Sequence, residues 1–234
     1  MEALILAGGL GTRLQNVVND VPKSMASILG KPFLEYQFNY LKKYGVTKII
    51  MAVGYKKEAI QDYFGDNYCG IDIEYSIEQE QLGTGGAIVN AINHIVEEEF
   101  FVLNGDTLFD IDLNEMKKLY HDKQCDIVIA LREVDDVSRY GAVSIDECNK
   151  IDGFFEKNKK SGDGLINGGI YLIKRRWFVE RASKGKFSIE KDVFEKEYLH
   201  SKFYALSFNN YFLDIGIPED YDRAQQEFKR FKIR

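Results

Sequence analysis

The sequence predicts an α/β protein: a mostly parallel central sheet with helices on both faces, joined to a smaller, mixed β region. Two observations predict it. Short apolar runs alternate with amphipathic segments through the first half of the chain, the order expected of strands linked by crossover helices. The runs at 3–7 (ALILA), 48–53 (KIIMAV) and 100–103 (FFVL) are apolar throughout, as strands covered on both faces must be.

The elements follow in order. Residues 3–7 form a buried strand, followed by a Gly-rich loop. Residues 33–44 carry Leu34, Phe38 and Leu41 at helical spacing and stop before Gly45. The strand at 48–53 leads to a short helix at 56–64, closed by Gly65, and then to an alternating strand at 71–77. A helix at 85–95 precedes the strand at 100–103, which runs into Asn104-Gly105-Asp106. A helix at 113–121 and a strand at 126–131 complete the regular half. Strands at 141–145, 151–156 and 165–173 make the mixed region. Helices at 177–182 and 190–198 and strands at 203–208 and 211–214 come next. The last helix starts near Pro218, with Glu219 and Asp220 in its first turn. Tyr221, Ala224, Phe228 and Phe231 form its apolar stripe, and Lys229, Arg230, Lys232 and Arg234 close it where cations suit the helix dipole. The alternation is Rossmann-like, and ligands of such sheets bind beyond the carboxyl ends of the strands. The loops after 3–7 and 100–103 are therefore expected to face one crevice.

Composition narrows the function. The chain has 234 residues, 45% hydrophobic and 29% charged, which suits a packed core and excludes a disordered chain. With no repeat and no Pro-, Gly- or Ser-rich linker, one domain over 1–234 is the simplest organisation. Against 37 acidic side chains stand 31 basic ones, a net charge of −6, so the footprint of a nucleic-acid binder is missing. Cys69, Cys125 and Cys148 form no CxxC pair, so reduced, buried thiols are expected rather than disulfides or a zinc site. No apolar run approaches the ~18 residues of a membrane span. The start of the chain passes from Met1-Glu2 directly into a strand without a basic leader. A cytoplasmic protein with small or soluble partners is expected. A homo-oligomer is left open.

The Gly-rich loop carries the first chemical signal. Leu6, Ala7, Gly8, Gly9, Gly11, Thr12 and Arg13 follow a buried strand. Glycines let backbone N–H groups close on an anion, Thr12 adds a hydroxyl donor, and Arg13 can grip phosphate oxygens through two N–H groups. Lys23 adds a point charge after Pro22. The loop matches neither GxxxxGK[ST] nor GxGxxG, so it is neither a P-loop nor a dinucleotide fingerprint. On its own it could be a tight turn with a surface arginine.

Gly8–Leu14 (GGLGTRL) followed by Pro22-Lys23-Ser24-Met25 resembles the signature of sugar-1-phosphate nucleotidyltransferases. Leu82-Gly83-Thr84-Gly85-Gly86, Asn104-Gly105-Asp106, Phe155-Glu156-Lys157, Asn167-Gly168-Gly169 and Asp214-Ile215-Gly216 follow in that family's order. The resemblance implies attack of a sugar 1-phosphate oxygen on the α-phosphorus of a nucleoside triphosphate, with pyrophosphate leaving. It implies that Asp106 and Asp214 hold Mg2+, a hard cation that takes one or two carboxylates plus phosphates. It also implies that Arg13 holds the triphosphate and Lys23 neutralises charge near the α-phosphate. Gly141, Glu156, Lys157 and Asn167 would meet the sugar phosphate. Each aspartate also has a plain use, Asp106 in a turn and Asp214 as a helix cap. No general base is needed, because the attacking phosphate is already ionised, and catalysis is positioning and electrostatics.

Base choice is expected to rest on Glu78, together with Gly83 and Thr84. In uridylyl-transferring relatives a glutamine stands five positions before the glycine of LGT; here that position is Glu78. A carboxylate only accepts hydrogen bonds, which suits the adjacent N1–H and 2-amino donors of guanine and opposes uracil, whose single donor lies between two acceptors. GTP is favoured. Phe187–Asp192 (FSIEKD) is similar to a segment of family members that act on D-glycero-α-D-manno-heptose 1-phosphate and make GDP-heptose for surface polysaccharide. Mannose 1-phosphate guanylyl transfer and MurNAc 1-phosphate uridylyl transfer are the alternatives. A non-catalytic sugar-nucleotide-binding subunit would be expected to lack Arg13, Lys23 or a metal aspartate. A glycosyltransferase would place a DxD after a strand, and Asp110-Ile111-Asp112, at a helix entrance, is read as a cap.

Overall fold

The computed structural model describes residues 1–9, 20–138, 141–155, 161–216 and 218–229. In chain order the elements are β1 (Glu2–Leu6), β2 (Ser27–Ile28), β3 (Lys31–Pro32), α1 (Phe33–Lys43), β4 (Lys48–Val53), α2 (Lys57–Phe64), β5 (Asn67–Tyr68), β6 (Ile71–Ile77), α3 (Gly83–Ala91), β7 (Glu99–Asn104), β8 (Thr107–Phe109) and α4 (Leu113–Lys123). They continue with β9 (Ile127–Val134), β10 (Ala142–Ile145), β11 (Ile151–Phe155), β12 (Gly164–Lys174), α5 (Arg175–Arg181), a π-helical turn (Glu190–Phe194) running into α6 (Glu195–Glu197), β13 (Phe203–Phe208), β14 (Phe212–Asp214) and α7 (Pro218–Glu227).

Strand alternation builds two cores. On one face of the sheet Ala3, Ile5, Ile49, Met51, Val53, Phe101 and Leu103 pack with Phe38 and Leu41 of α1, Phe64 of α2, Met116 of α4 and Ala224 of α7. On the other face their neighbours Leu4, Ile50, Ala52, Phe100 and Val102 pack with Ile88 of α3, Trp177 and Phe178 of α5, and Phe194. Burial on both faces is why these strands read as unbroken apolar runs rather than alternating ones.

The central strands β6, β4, β1 and β7 are parallel neighbours. Leu6 pairs with both Ala52 and Asn104, so β1 and β7 end on the same edge, as expected. The mixed region is continuous with this sheet. β12 runs antiparallel to β7 through Ile170–Lys174 and, nearer its start, pairs Leu165 and Ile166 with Val143 and Ala142 of β10. Its register against β9 slips between Asn167 and Tyr171. β12 thus leaves one partner for another at Gly168-Gly169, and a second cleft lies where it does so.

Some expectations change. α3 begins at Gly83, two residues early, and gives way to a 3-10 turn at Ile92–His94. β8 was not anticipated, since three residues after a turn are too few to show a period. The buried-thiol expectation holds for Cys125 and fails for Cys69 and Cys148, which are exposed. Cys69 and its neighbour Gly70 form the turn between β5 and β6, both with positive φ, and a turn residue does not reach the core. Phe231 and the terminal cations Arg230, Lys232 and Arg234 lie outside the described residues.

Candidate active site

Residues distant in the chain meet at the carboxyl edge of β1 and β7. Gly105 donates its N–H to Leu6 O at 3.0 Å, and a β-carbon there would stand 2.7 Å from that oxygen. Only glycine lets the two loops lie this close. Gln37, fully buried on α1, spans the turn with one amide nitrogen, donating to Asn104 O at 2.8 Å and Thr107 O at 2.5 Å. β14 pairs with β8, setting Asp214 opposite Thr107, and Ile215 N–H donates to Asp106 O at 2.9 Å. The carboxylates of residues 106 and 214 are therefore brought together by backbone pairing.

Both face Lys23. Its ammonium, on the 3-10 turn Lys23–Met25 after Pro22, hydrogen-bonds Asp106 Oδ2 and lies 3.8 Å from Asp214 Oδ1. Lys23 is 11% exposed, the aspartates 36% and 40%. Gly216 N–H donates to Asp214 Oδ1 at 2.7 Å, orienting that carboxylate. Lys23 thus meets both carboxylates at once. Among the described residues no group of three or more His, Cys, Asp or Glu side chains could hold a metal. Two converging carboxylates are the kind of oxygen donor that a magnesium ion takes alongside phosphate and water.

A cleft of about 370 Å³ opens beside this cluster, lined by Leu6, Gly8, Gly9, Glu78, Gln81, Gly83, Thr84, Ala87, Asn104, Asp106 and Lys186. Glu78 Oε2 accepts from Leu82 N–H at 3.1 Å, and a β-carbon on Gly8 would collide with Oε1, so the carboxylate lies directly against the glycine turn. Burial pushes its carboxyl above the usual carboxylate range, and the Leu82 N–H partly offsets this. Ala7 stands apart from the other loop residues: it is buried and spends its N–H on Ala52 O at 2.9 Å. Gly11, Thr12, Arg13, Glu156 and Lys157 lie outside the described residues.

The second cleft, about 610 Å³, is lined by Gly141 and Asn167 together with Phe154, Phe155, Ser188, Glu190 and Lys191 among others. Sequence reasoning anticipated the first two and missed Glu190, as it missed Asn104 and Lys186 in the first cleft. The LGTGG segment was a pointer to Lys186 and Glu190. A β-carbon at Gly83 would lie 2.5 Å from Phe187 O, one at Gly85 would strike the Phe187 ring, and one at Gly86 would strike Gly185 O. These glycines admit the 185–190 segment to the mouth of α3, beside both clefts. Asp112 caps α4 by accepting from Asn114 N–H at 2.8 Å, as expected of the DxD-like triplet. His94 and His121 pair with Glu74 and Glu99, and no histidine is among the described residues lining either cleft.

A parallel sheet with a glycine turn, converging carboxylates and a lysine at its carboxyl edge is the framework of an enzyme that handles phosphorylated nucleotides. The chain belongs to the nucleotidyl transferase family, whose model matches residues 2–230. It is 47% identical over 231 residues to a D-glycero-alpha-D-manno-heptose 1-phosphate guanylyltransferase of Aneurinibacillus thermoaerophilus, covering 99% of this chain and 100% of that one. It is 50% identical over 221 residues to the protein of that name from Campylobacter jejuni, covering 94% and 97%. Its fold superposes on the crystal structure of HddC from Yersinia pseudotuberculosis with a TM-score of 0.85 at 42% identity, covering 97% and 99% of the two chains. A further structure of that protein is complexed with GMP-PN.

Proposed function

We propose that the protein transfers a guanylyl group from GTP to D-glycero-α-D-manno-heptose 1-phosphate, giving GDP-heptose and pyrophosphate for surface polysaccharide. The observation that carries this reading is the Glu78 carboxylate on the wall of the glycine-lined cleft, in a chain close to full-length relatives named for that reaction. A guanine there offers Glu78 two adjacent donors. The sugar phosphate belongs in the second cleft, against Gly141 and Asn167. Its phosphate oxygen attacks the α-phosphorus, the bond to the bridging oxygen breaks, and pyrophosphate leaves with the electron pair.

The side chains bring two polyanions together. Lys23 neutralises charge at the α-phosphate, and Arg13, by the family resemblance, holds the triphosphate. Asp106 and Asp214 would hold Mg2+, which supplies further charge neutralisation to the phosphates when bound. The described residues contain no helix long and apolar enough to cross a membrane. We place the reaction in the cytoplasm, where GTP is available.

The test is a matrix of GTP, ATP, UTP and CTP against hexose and heptose 1-phosphates, scored by pyrophosphate release in magnesium. Release with GTP and the heptose 1-phosphate is expected. Activity confined to UTP overturns the reading of Glu78. A preference for mannose 1-phosphate overturns the sugar assignment, and silence in every well overturns the enzymatic reading.

A further inference from the structure

The two clefts are joined by a chain of hydrogen bonds that meets at Glu190. Its carboxylate lines the second cleft and accepts from three hydroxyls: Thr84 Oγ1 at 2.8 Å, Ser188 Oγ at 2.7 Å and Tyr171 Oη at 3.2 Å. Thr84 lines the first cleft and also accepts from Ile189 N–H at 2.9 Å. Tyr171 is fully buried, and its oxygen accepts from Asn167 Nδ2 at 2.9 Å. Asn167 Oδ1 in turn accepts from Gly169 N–H at 2.9 Å. An unbroken path therefore runs from a wall of the first cleft, through Glu190, to a wall of the second.

An ionised carboxylate has no proton to give, so every hydroxyl that meets Glu190 must donate to it. That fixes the direction of the whole chain. Thr84 spends its proton on Glu190 and can offer a ligand in the first cleft only an acceptor lone pair. Tyr171 spends its proton likewise and must accept from Asn167. The Asn167 carbonyl accepts from Gly169 N–H with one of its two lone pairs, and with one N–H given to Tyr171 its second N–H is the donor it can offer the second cleft. Asn167 can then read an acceptor on the sugar phosphate through that N–H.

We propose that Glu190 is a positioning residue that fixes the hydrogen-bond polarity of both subsites, making Thr84 an acceptor toward the nucleotide and Asn167 a donor toward the sugar 1-phosphate. This rests on the reading of the clefts given above. The isosteric Glu190→Gln puts an N–H donor where the chain needs an acceptor. One hydroxyl must then turn around, and the misdirection passes to Thr84 or, through Tyr171, to Asn167. Tyr171→Phe keeps the ring packing and cuts only the arm to Asn167.

The experiment measures kcat and both KM values for the full chain and the two variants, with melting temperatures alongside. Glu190→Gln is expected to raise KM for GTP or for the sugar 1-phosphate, whichever arm its amide nitrogen meets, by about tenfold, the scale of one misdirected hydrogen bond. Tyr171→Phe is expected to raise KM for the sugar 1-phosphate by several-fold and leave that for GTP within twofold. A merely structural role would lower the amount of active enzyme, and so kcat, without moving either KM. Both KM values within twofold of the unaltered protein in Glu190→Gln would overturn the proposal. So would a Tyr171→Phe effect that falls equally on both substrates. Should Glu190→Gln fail to fold, Tyr171→Phe decides alone, and an unchanged sugar KM overturns it. Failure of the functional reading is separate, since it appears as inactivity of the unaltered chain.

Discussion

Lys23 is the cation whose removal tests the electrostatics of the site most directly. Lys23→Met keeps the length and apolar stem and deletes the charge. At the 3.8 Å separating its Nζ from Asp214 Oδ1, a unit pair is worth about 1 kcal/mol in water and about 4 kcal/mol at an effective dielectric constant of 20. Asp106 and Asp214 are 36% and 40% exposed, so screening places the ground-state value toward the lower figure and the fold should survive. Turnover is another matter. When two polyanions close over the cluster and exclude water, the same charge acts at lower dielectric, and losing one such group costs on the order of 100-fold or more in kcat. Pyrophosphate release under saturating substrates gives the rate, and thermal melts with and without magnesium give the stability. Without the ammonium between them, Asp106 and Asp214 should bind the divalent ion more tightly, so magnesium should raise the melting temperature more in the variant than in the unaltered protein. A variant that retains a third of its kcat, or gains nothing extra from magnesium, refutes the reasoning.

Three further outcomes are expected. Asp106→Ala should nearly abolish pyrophosphate release while the circular dichroism spectrum stays unchanged; substantial activity in magnesium would remove Asp106 from the reaction. Burial raises the Glu78 carboxyl, so it takes up a proton at a higher pH than an ordinary glutamate as the medium is acidified. Only the ionised form accepts both guanine donors. KM for GTP should therefore climb on the acid side in the unaltered protein and stay flatter in Glu78→Gln, and matching acid limbs in the two proteins would count against Glu78 as the base reader. Gly105→Ala places a β-carbon 2.7 Å from the Leu6 carbonyl, a backbone atom that cannot rotate away. Overpacking of this kind costs about 1–3 kcal/mol, and the accompanying shift of Asp106 should lower kcat on the order of 100-fold, read from chemical denaturation and steady-state rates. A full-rate Gly105→Ala would show that the loops can part freely.

Much of the framework was legible in the chain because its causes are local. Burial on both faces makes the runs at β1, β4 and β7 apolar, and the spacing of Leu34, Phe38 and Leu41 makes a helix face. The carboxyl-edge rule then places Leu6, Gly8, Gly9 and Asp106 at one crevice from the strand pattern alone. The pairing of Asp214 with that crevice came from motif resemblance, since no period or turn links positions 106 and 214. Only the tertiary structure supplied the reason, the β8–β14 ladder that sets Asp214 opposite Thr107.

The same limit explains Lys186 and Glu190. In sequence, 185–190 is a short stretch of mixed polarity before a helix, and 83–86 is a glycine cluster. What unites them is that missing β-carbons on α3 admit the Phe187 backbone and ring, a complementarity of shape between segments about a hundred positions apart in the numbering. Alternation and glycine turns record the preferences of neighbouring residues, so the sequence by itself determined the sheet, its two cores and the edge where ligands bind. Which ammonium faces which carboxylate, and which way a proton points along Asn167, Tyr171 and Glu190, depend on contacts between distant segments, and folding alone decided them.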